Sequence, residues 1–396
     1  MGNTPNIRFK GFTDDWEQRK FGSLLKEIRE KTKIENEDTL LSCAIDGMYL
    51  NSELFSHFRG SSNIGYLKVK KNDLILSAQN LHLGNCNVNL RFEHGIISPA
   101  YKVYELVTCD PFFIQAWVKQ DSTKDFFLNA STEGASVCRK NIVWDELYKQ
   151  TLPIPKLKEQ EQIGQYFNEL DNLITLHQRK CDETKKLKKF MLQKMFPKKD
   201  AKKPEIRFAG FTDDWEQRKF GDIGSIAMCK RIFKEQTSDE GEVPFYKIGT
   251  FGVEPDAFIS KELFDEYKTK YPYPNKGDIL ISASGSIGRT VEFTGKDEYF
   301  QDSNIVWLKH GNEIDNSFLK VLYSIVEWSC EGSTIKRLYN DNFLKTEFML
   351  PQIDEQIKLG TYFSNLDNLI TLHQRKCDEL KEFKKYMLQN MFPQKG

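Results

Sequence analysis

The sequence predicts an α+β protein in which two mixed α/β domains are separated by two long antiparallel coiled-coil helices, with a pseudo-twofold internal duplication. Three observations lead to this prediction. Two blocks of sequence occur twice, and the second block carries the three-and-four spacing of apolar residues that is typical of a coiled coil. The stretches between the blocks contain short alternating runs among turn-forming residues.

The first repeated block opens each half of the chain. IRFKGFTDDWEQRKFG at residues 7–22 returns as IRFAGFTDDWEQRKFG at residues 206–221, and only Lys10 and Ala209 differ. The separation of the copies is far longer than a solenoid repeat. The repeat therefore indicates a duplicated half-molecule.

The second repeated block predicts the long helices. Residues 166–197 return as residues 362–393, and the central LDNLITLHQRKCDE is identical in both copies. Each block ends at a Phe-Pro pair, which favours a helix stop. At ~1.5 Å per residue each helix would be about 55 Å long. Because their apolar stripes match, we expect the helices to pack on each other.

The stretches 23–150 and 222–347 do not repeat closely and predict the globular domains. Alternating runs at residues 101–106, 278–282 and 305–308 predict short strands among Gly, Asn, Asp and Pro turn signals. Each stretch, of about 125 residues, is large enough for its own core.

Composition excludes several classes of protein. With 39% hydrophobic and 29% charged residues, the chain has the composition of an ordinary globular protein. The sequence contains no apolar run of membrane-spanning length, and its N-terminus lacks the apolar core of a signal peptide. The eight cysteines include no C-x-x-C pair, which argues against a disulfide framework. We therefore expect a cytoplasmic protein without a membrane partner.

Charge constrains how the chain could bind DNA. Its 57 basic and 57 acidic residues cancel, whereas a protein that neutralises many phosphates alone is usually basic. DNA contacts would therefore come from local patches, or a partner would supply part of the charge. The basic stretch 185–203 either follows DNA phosphates or forms the solvated face of a helix and a linker.

Catalytic motifs are scarce. The sequence contains neither a G-x-x-x-x-G-K-[ST] loop nor a G-x-G-x-x-G turn after a strand. Asp256 with Glu266 and Lys268 matches a loose metal-nuclease string, but such a site needs a buried strand, and this segment is polar and broken by prolines. We interpret the match as chance.

Two polar features of the helical blocks have alternative interpretations. His177, Cys181, His373 and Cys377 either form a polar layer that sets the helix register or hold a zinc ion. The pairs Glu159-Gln160 and Glu355-Gln356 are interpreted as helix-start residues rather than as catalytic carboxylates.

The duplication itself suggests a function. One chain with a pseudo-twofold axis imitates a symmetric dimer, and dimers of this kind read two DNA half-sites at a fixed spacing. Because the helical blocks are constant and the domains differ, the expected target is an asymmetric sequence in two parts with a fixed gap.

The whole chain resembles the specificity subunits of type I restriction–modification enzymes. The resemblance rests on the P-x-(I/L)-x-E-Q segments at 155–160 and 351–356, the LDNLITLHQRK helices, the FTDDWEQRKFG openers and GDILISASGSIGR at 277–289. It implies two target recognition domains, at 1–155 and 206–351, each reading half of a bipartite DNA target. The implied spacer helices lie at 156–197 and 352–396, with a basic linker at 198–205.

The resemblance also implies partners. Such subunits are not enzymes and bind no cofactor themselves. Two modification subunits bind S-adenosylmethionine and methylate adenine N6, and restriction subunits add ATP- and Mg-dependent translocation and cleavage. The expected partners are thus double-stranded DNA, the modification subunits, which would dock on the helices, and the restriction subunits.

Candidate DNA contacts are polar and basic residues of types that can read a groove. In the first domain they are Gln79, Asn80, His82, Asn85, Arg139 and Lys140, and in the second Lys247, Ser284, Ser286, Arg289, Lys336 and Arg337. Two alternative functions stay open at this point. One is a coiled-coil scaffold without DNA specificity, and the other is a stand-alone DNA nuclease.

Overall fold

The computed structural model describes residues 4–56, 62–136, 139–332 and 336–393, without the side chains of residues 133–136 and 139. The chain divides into two compact units. Unit 1 combines Met1–Arg179 with Gln374–Gly396, and unit 2 is Lys180–His373. Each unit therefore holds one globular domain and part of each long helix. In the part of the chain that the structure describes, the helices lack the extended apolar stretch that a membrane-spanning segment requires.

The elements of the first half of the chain are short except for the last helix. The strands are β1 (Glu17–Lys20), β2 (Leu25–Ile28), β3 (Leu41–Cys43), β4 (Met48–Leu50), β5 (Leu67–Lys70), β6 (Leu74–Ser77), β7 (Cys86–Val88), β8 (His94–Ile97), β9 (Tyr101–Leu106), β10 (Ser131–Ser136), β11 (Arg139–Ile142) and β12 (Thr151–Ile154). The helices are α1 (Asn51–Leu54), α2 (Pro111–Val118), α3 (Asp121–Leu128), α4 (Trp144–Lys149) and α5 (Leu157–Lys194).

The second half repeats this order with fewer elements. Its strands are β13 (Glu216–Lys219), β14 (Gly224–Ala227), β15 (Val243–Tyr246), β16 (Phe258–Ile259), β17 (Ile279–Ser282), β18 (Thr290–Glu292), β19 (Tyr299–Phe300), β20 (Ile305–His310) and β21 (Glu347–Leu350). Its helices are α6 (Phe220–Ile223), α7 (Lys261–Lys270), α8 (Asn316–Ile325), α9 (Asn340–Lys345) and α10 (Ile353–Asn390).

Each unit is built on a four-stranded antiparallel sheet. The strand order is β2-β9-β6-β7 in unit 1 and β14-β20-β17-β18 in unit 2, so the two domains share one topology although their sequences differ. In both sheets the inner strands β6 and β17 are buried throughout, because hydrophobic residues face both sides. The predicted fold class of mixed domains with long helices is confirmed.

The constant opener and the constant helix hold each other, and this explains why both are repeated. In unit 1 the Arg8 guanidinium donates to both carboxylate oxygens of Glu159, at 2.6 and 2.8 Å, and the Trp16 indole donates to the same carboxylate at 3.4 Å. Glu159 is only 2% exposed. Unit 2 repeats the arrangement, with Arg207 and Trp215 bound to Glu355.

The glutamine next to each of these glutamates joins the helix start to the domain. The Gln160 side chain donates to the Pro155 carbonyl at 2.9 Å and accepts from the Asp110 backbone N–H at 3.0 Å. Asp110 in turn caps α2 by accepting from the Phe113 N–H. Gln356 makes the equivalent bonds in unit 2. Both acidic-Gln pairs therefore act as helix-start residues.

Within each unit the two long helices run antiparallel. In unit 1, Lys384 of α10 pairs with Asp171 of α5, and the Cys377 thiol donates to the Ile174 carbonyl at 3.9 Å. In unit 2, Lys188 pairs with Asp367 at 2.6 Å, and Cys181 donates to the Ile370 carbonyl at 3.8 Å. The two sets of contacts occupy the same positions of the repeat, as the matching apolar stripes predict.

Candidate nucleic-acid interface

The strongest candidate site in unit 2 is the loop that follows the central strand β17. Ser282 ends the strand, and its hydroxyl donates to the Ser286 carbonyl while accepting from the Arg289 N–H. Gly285 and Gly288 both have positive φ, which favours glycine at these two turning points. The loop is thus held in one shape by its own hydrogen bonds, and it leaves Gly285, Ser286 and Arg289 exposed.

Two predicted residues, Ser284 and Arg337, meet at a third residue that the sequence did not single out. The Ser284 hydroxyl donates to Asn304 Oδ1 at 2.7 Å, and Arg337 Nη2 donates to the same oxygen at 3.1 Å. An antiparallel bridge also joins Ser284 to Arg337. Asn304 lies just before β20 in an ordinary turn, QDSN, so only its position at the strand entrance could have marked it.

The other predicted residues of unit 2 are distributed around this centre. Arg289 Nη1 donates to the Phe251 carbonyl at 2.8 Å, and this hydrogen bond fixes the orientation of the Arg289 side chain. Lys247 pairs with Asp256 at 2.8 Å, so its charge is already compensated. Ser286 and Lys336 are exposed. Their roles in DNA contact remain predictions.

The corresponding loop of unit 1 follows β6 and contains four of the predicted residues. The Asn80 N–H donates to the Ser77 hydroxyl at 3.2 Å, and the Lys140 N–H donates to the Gln79 carbonyl, so β11 lies beside the loop. Their side chains stay candidate contacts. The Arg139 side chain lies outside the described part of the structure.

His82 and Asn85 differ from the other candidates of this loop because polar atoms of both are buried. His82 is 9% exposed, and neither ring nitrogen has a hydrogen-bond partner among the described residues. Burial lowers the pKa of His82. The side-chain oxygen of Asn85 is likewise buried without a described partner. Both residues are thus part of the loop's interior in this conformation, and a base contact by either remains a prediction.

The nuclease alternative lacks the geometry it requires. Glu266 and Lys268 lie on the helix α7 rather than on a buried strand, and they pair with Lys270 and Asp297. Asp256 pairs with Lys247. Within the described ranges, no group of three or more His, Cys, Asp or Glu side chains is placed to hold a metal ion. The zinc alternative for the histidine–cysteine layer therefore gains no support from these residues.

The basic stretch 185–203 is partly compensated by carboxylates. Lys194 and Lys198 both pair with Glu205, and Lys203 pairs with Asp214 at 3.3 Å. These pairs bind the linker to the start of the second opener. They favour the structural interpretation of this stretch over a continuous track for DNA phosphates.

A second candidate surface consists of exposed apolar side chains on the long helices. Large apolar residues usually lie in the core, yet several here are 43–54% exposed, and they occupy equivalent positions of the repeat. Unit 1 exposes Leu173, Phe383 and Tyr386, and unit 2 exposes Leu187, Phe190 and Leu369. We call the two sets the helix patches. Recurrence in both copies argues against chance exposure.

Comparison with known proteins identifies the family. The family model for the type I restriction modification DNA specificity domain matches residues 13–186 and 212–382, which is most of the chain. The chain belongs to this family. The two matched segments are the two halves of the duplication, each with its own four-stranded sheet.

Two sequence relatives agree with this assignment to the type I specificity family, and one solved structure shows the same fold. A Haemophilus influenzae protein assigned to the type I restriction enzyme specificity subunits is 55% identical over 156 residues, which cover 38% of this chain and 40% of that protein. The MjaVIII specificity subunit of Methanocaldococcus jannaschii is 25% identical over 95% of this chain and 91% of its own. The crystal structure of the type I restriction–modification S subunit from M. genitalium has the same fold, with a TM-score of 0.65, 15% identity and coverage of 99% and 100%.

Proposed function

We propose that this chain is the DNA sequence-specificity subunit of a type I restriction–modification complex and acts in the cytoplasm. Each unit reads one half of an asymmetric bipartite target, and the spacer helices fix the gap between the halves. One observation carries the proposal. Two domains with the same strand order bear different loops after β6 and β17, on openers and helices that are nearly identical.

The residues that would read DNA and the residues that attach each domain to its helix lie in different parts of the chain. The loops after β6 and β17 present Asn, Gln, Ser and Arg side chains, which are groups that read base edges. The pairs Arg8–Glu159 and Arg207–Glu355 hold each domain to its helix in the same way. Because these contacts belong only to the constant blocks, a domain can change its loops without losing its attachment.

The proposed complex supplies the chemistry through its other subunits. Two modification subunits bring S-adenosylmethionine and adenine N6 methylation, and restriction subunits bring ATP- and Mg-dependent cleavage. The chain itself contributes recognition and no catalytic group. In a test of this last point, the purified chain alone should neither methylate DNA nor cleave it with Mg²⁺, and the addition of the modification subunit should produce methylation.

The central test maps N6-methyladenine across a genome, with the chain and its modification subunit expressed together. The proposal expects a new two-part motif with a fixed gap, absent when the chain is omitted. Exchange of residues 23–150 for the equivalent domain of a relative should change one half of the motif and leave the other half unchanged. If both subunits assemble but no motif appears, the scaffold function replaces this one.

The helix patches are the proposed docking sites for the modification subunits. Leu173→Asp places a charge in the patch of unit 1, and Leu369→Asp does the same in unit 2. Each single variant should lose one of two modification subunits, and the double variant should lose both, as measured by the mass of the purified complex. Thr175→Asp and Thr371→Asp are matched controls, because these exposed positions lie about 200° around the helix from the patch. Equal loss in the controls would contradict this assignment.

A further inference from the structure

Asn304 of unit 2 organises a cluster of hydrogen-bond donors. Its Oδ1 accepts from the Ser284 hydroxyl at 2.7 Å and from Arg337 Nη2 at 3.1 Å. The three residues come from separate segments: the loop after β17, the entrance to β20 and the segment before α9. An amide oxygen can accept two hydrogen bonds, and Asn304 Oδ1 already accepts two. The amide group therefore has only its Nδ2 donors left to offer a ligand.

The same contact orients Arg337 without cancelling its charge. The buried arginines of the openers are paired with carboxylates, as in Arg207–Glu355 at 2.7 Å, and Arg231 pairs with Asp302 at 2.9 Å. Asn304 is neutral, and no carboxylate of the described residues forms an ion pair with Arg337. Arg337 is half-buried, so its planar group is held in place with charged N–H groups unused.

We propose that Arg337, positioned by Asn304 and Ser284, reads a guanine in the half-site of the second domain. This inference rests on the proposed function. In the major groove guanine presents two acceptors, O6 and N7, whereas adenine and cytosine each present a donor and thymine a single acceptor beside a methyl group. The unused N–H groups of Arg337 are donors only, and a planar guanidinium can donate to both acceptors of the guanine edge. Arg337 makes the contact, and Asn304 is a positioning residue.

In the first domain, the position equivalent to Asn304 has no amide side chain. The Ala283 N–H donates to the Asn304 carbonyl at 2.7 Å, and in unit 1 the Ala78 N–H donates to the Ala100 carbonyl at 3.0 Å. Ala100 therefore occupies the equivalent backbone position and has no side-chain acceptor. The guanine contact is accordingly assigned to the second half-site alone. We expect the first domain to read its half-site through different contacts.

The test uses the assembled chain and modification subunit with duplexes that carry the methylation motif. Each guanine of the second half-site is replaced in turn by 7-deazaguanine, which lacks the N7 acceptor. One replacement should weaken binding by about tenfold to a hundredfold, the usual discrimination of a good base contact. In the Arg337→Ala variant the same replacement should cause no further loss.

Two more variants separate positioning from folding. Asn304→Ala should reduce the preference for guanine over adenine at that position, while binding to unrelated DNA, which requires a folded protein, stays near that of the wild type. The control is Lys320→Ala, which removes an exposed pair between Lys320 of α8 and Glu292 of β18 and should leave the preference unchanged.

Three results would overturn the inference. The wild-type complex could be insensitive to every 7-deazaguanine replacement, or its second half-site could contain no guanine. Arg337→Ala could also weaken binding to all sequences equally, which would identify a phosphate contact that shares the same donor chemistry. In each case the bipartite motif would persist, so the proposed function would stand. Absence of any motif would instead reject both.

Discussion

Arg8→Ala tests whether the repeated opener is attached to the helix by a buried ion pair. The substitution leaves the Glu159 carboxylate, only 2% exposed, with the weak Trp16 contact at 3.4 Å as its described partner. Removal of one partner from a buried pair costs about 3–5 kcal/mol. Since the Arg8 side chain is 13% exposed and water can enter, we expect the lower end, about 3 kcal/mol.

This loss should appear in the melting temperature. Unit 1 contains about 200 residues, for which 1 kcal/mol shifts Tm by about 2–4 °C, so the expected decrease is about 6–12 °C. Hydrogen exchange measured by mass spectrometry should place the change in unit 1, at β1 and β12. Glu159→Gln combined with Arg8→Ala should recover part of the loss, because it removes the unpaired charge.

The matched control is Lys26→Ala in the same unit. The Lys26–Glu105 pair is as short as 2.7 Å, but both side chains are more than half exposed. An exposed pair contributes little to stability because water screens it, so Tm should hardly change. If Arg8→Ala destabilises the protein no more than Lys26→Ala, burial does not give the opener pair its strength, and the explanation of the repeat is refuted.

Two further predictions address close packing and pH. In Gly360→Ala the new Cβ would lie 2.7 Å from the Phe318 backbone nitrogen, and urea unfolding should show a loss of about 1–3 kcal/mol, whereas Gly249→Ala, with open space around it, should be nearly neutral. Equal losses of stability in the two glycine variants would show that the start of α10 can move away from α8. Burial raises the pKa of Asp73 to about 6, so the folded state binds this proton more tightly than the unfolded chain, and its stabilising contribution disappears as pH rises through about 6. Asp73→Asn should therefore raise Tm relative to the wild type at pH 8 and not at pH 4, and a pH-independent difference would contradict the assignment.

The architecture could be predicted from the amino-acid sequence alone. The two long helices extend over Leu157–Lys194 and Ile353–Asn390 and cover most of the repeated segments 166–197 and 362–393 that predicted them. The strands at 101–106, 278–282 and 305–308 also appear, as β9, β17 and β20. These features are local: apolar spacing and turn residues act over a few positions, so they can be recognised without knowledge of distant contacts.

Which residues act together became visible only in the folded chain. Arg8 and Glu159 are far apart in sequence, as are Ser284, Asn304 and Arg337, and no spacing rule connects them. Folding also placed His82 in the interior of its loop and paired Lys247 with an acid, although both residue types are common on DNA-binding surfaces. The physical reason is that side-chain contacts depend on strand order and burial, which the whole chain determines.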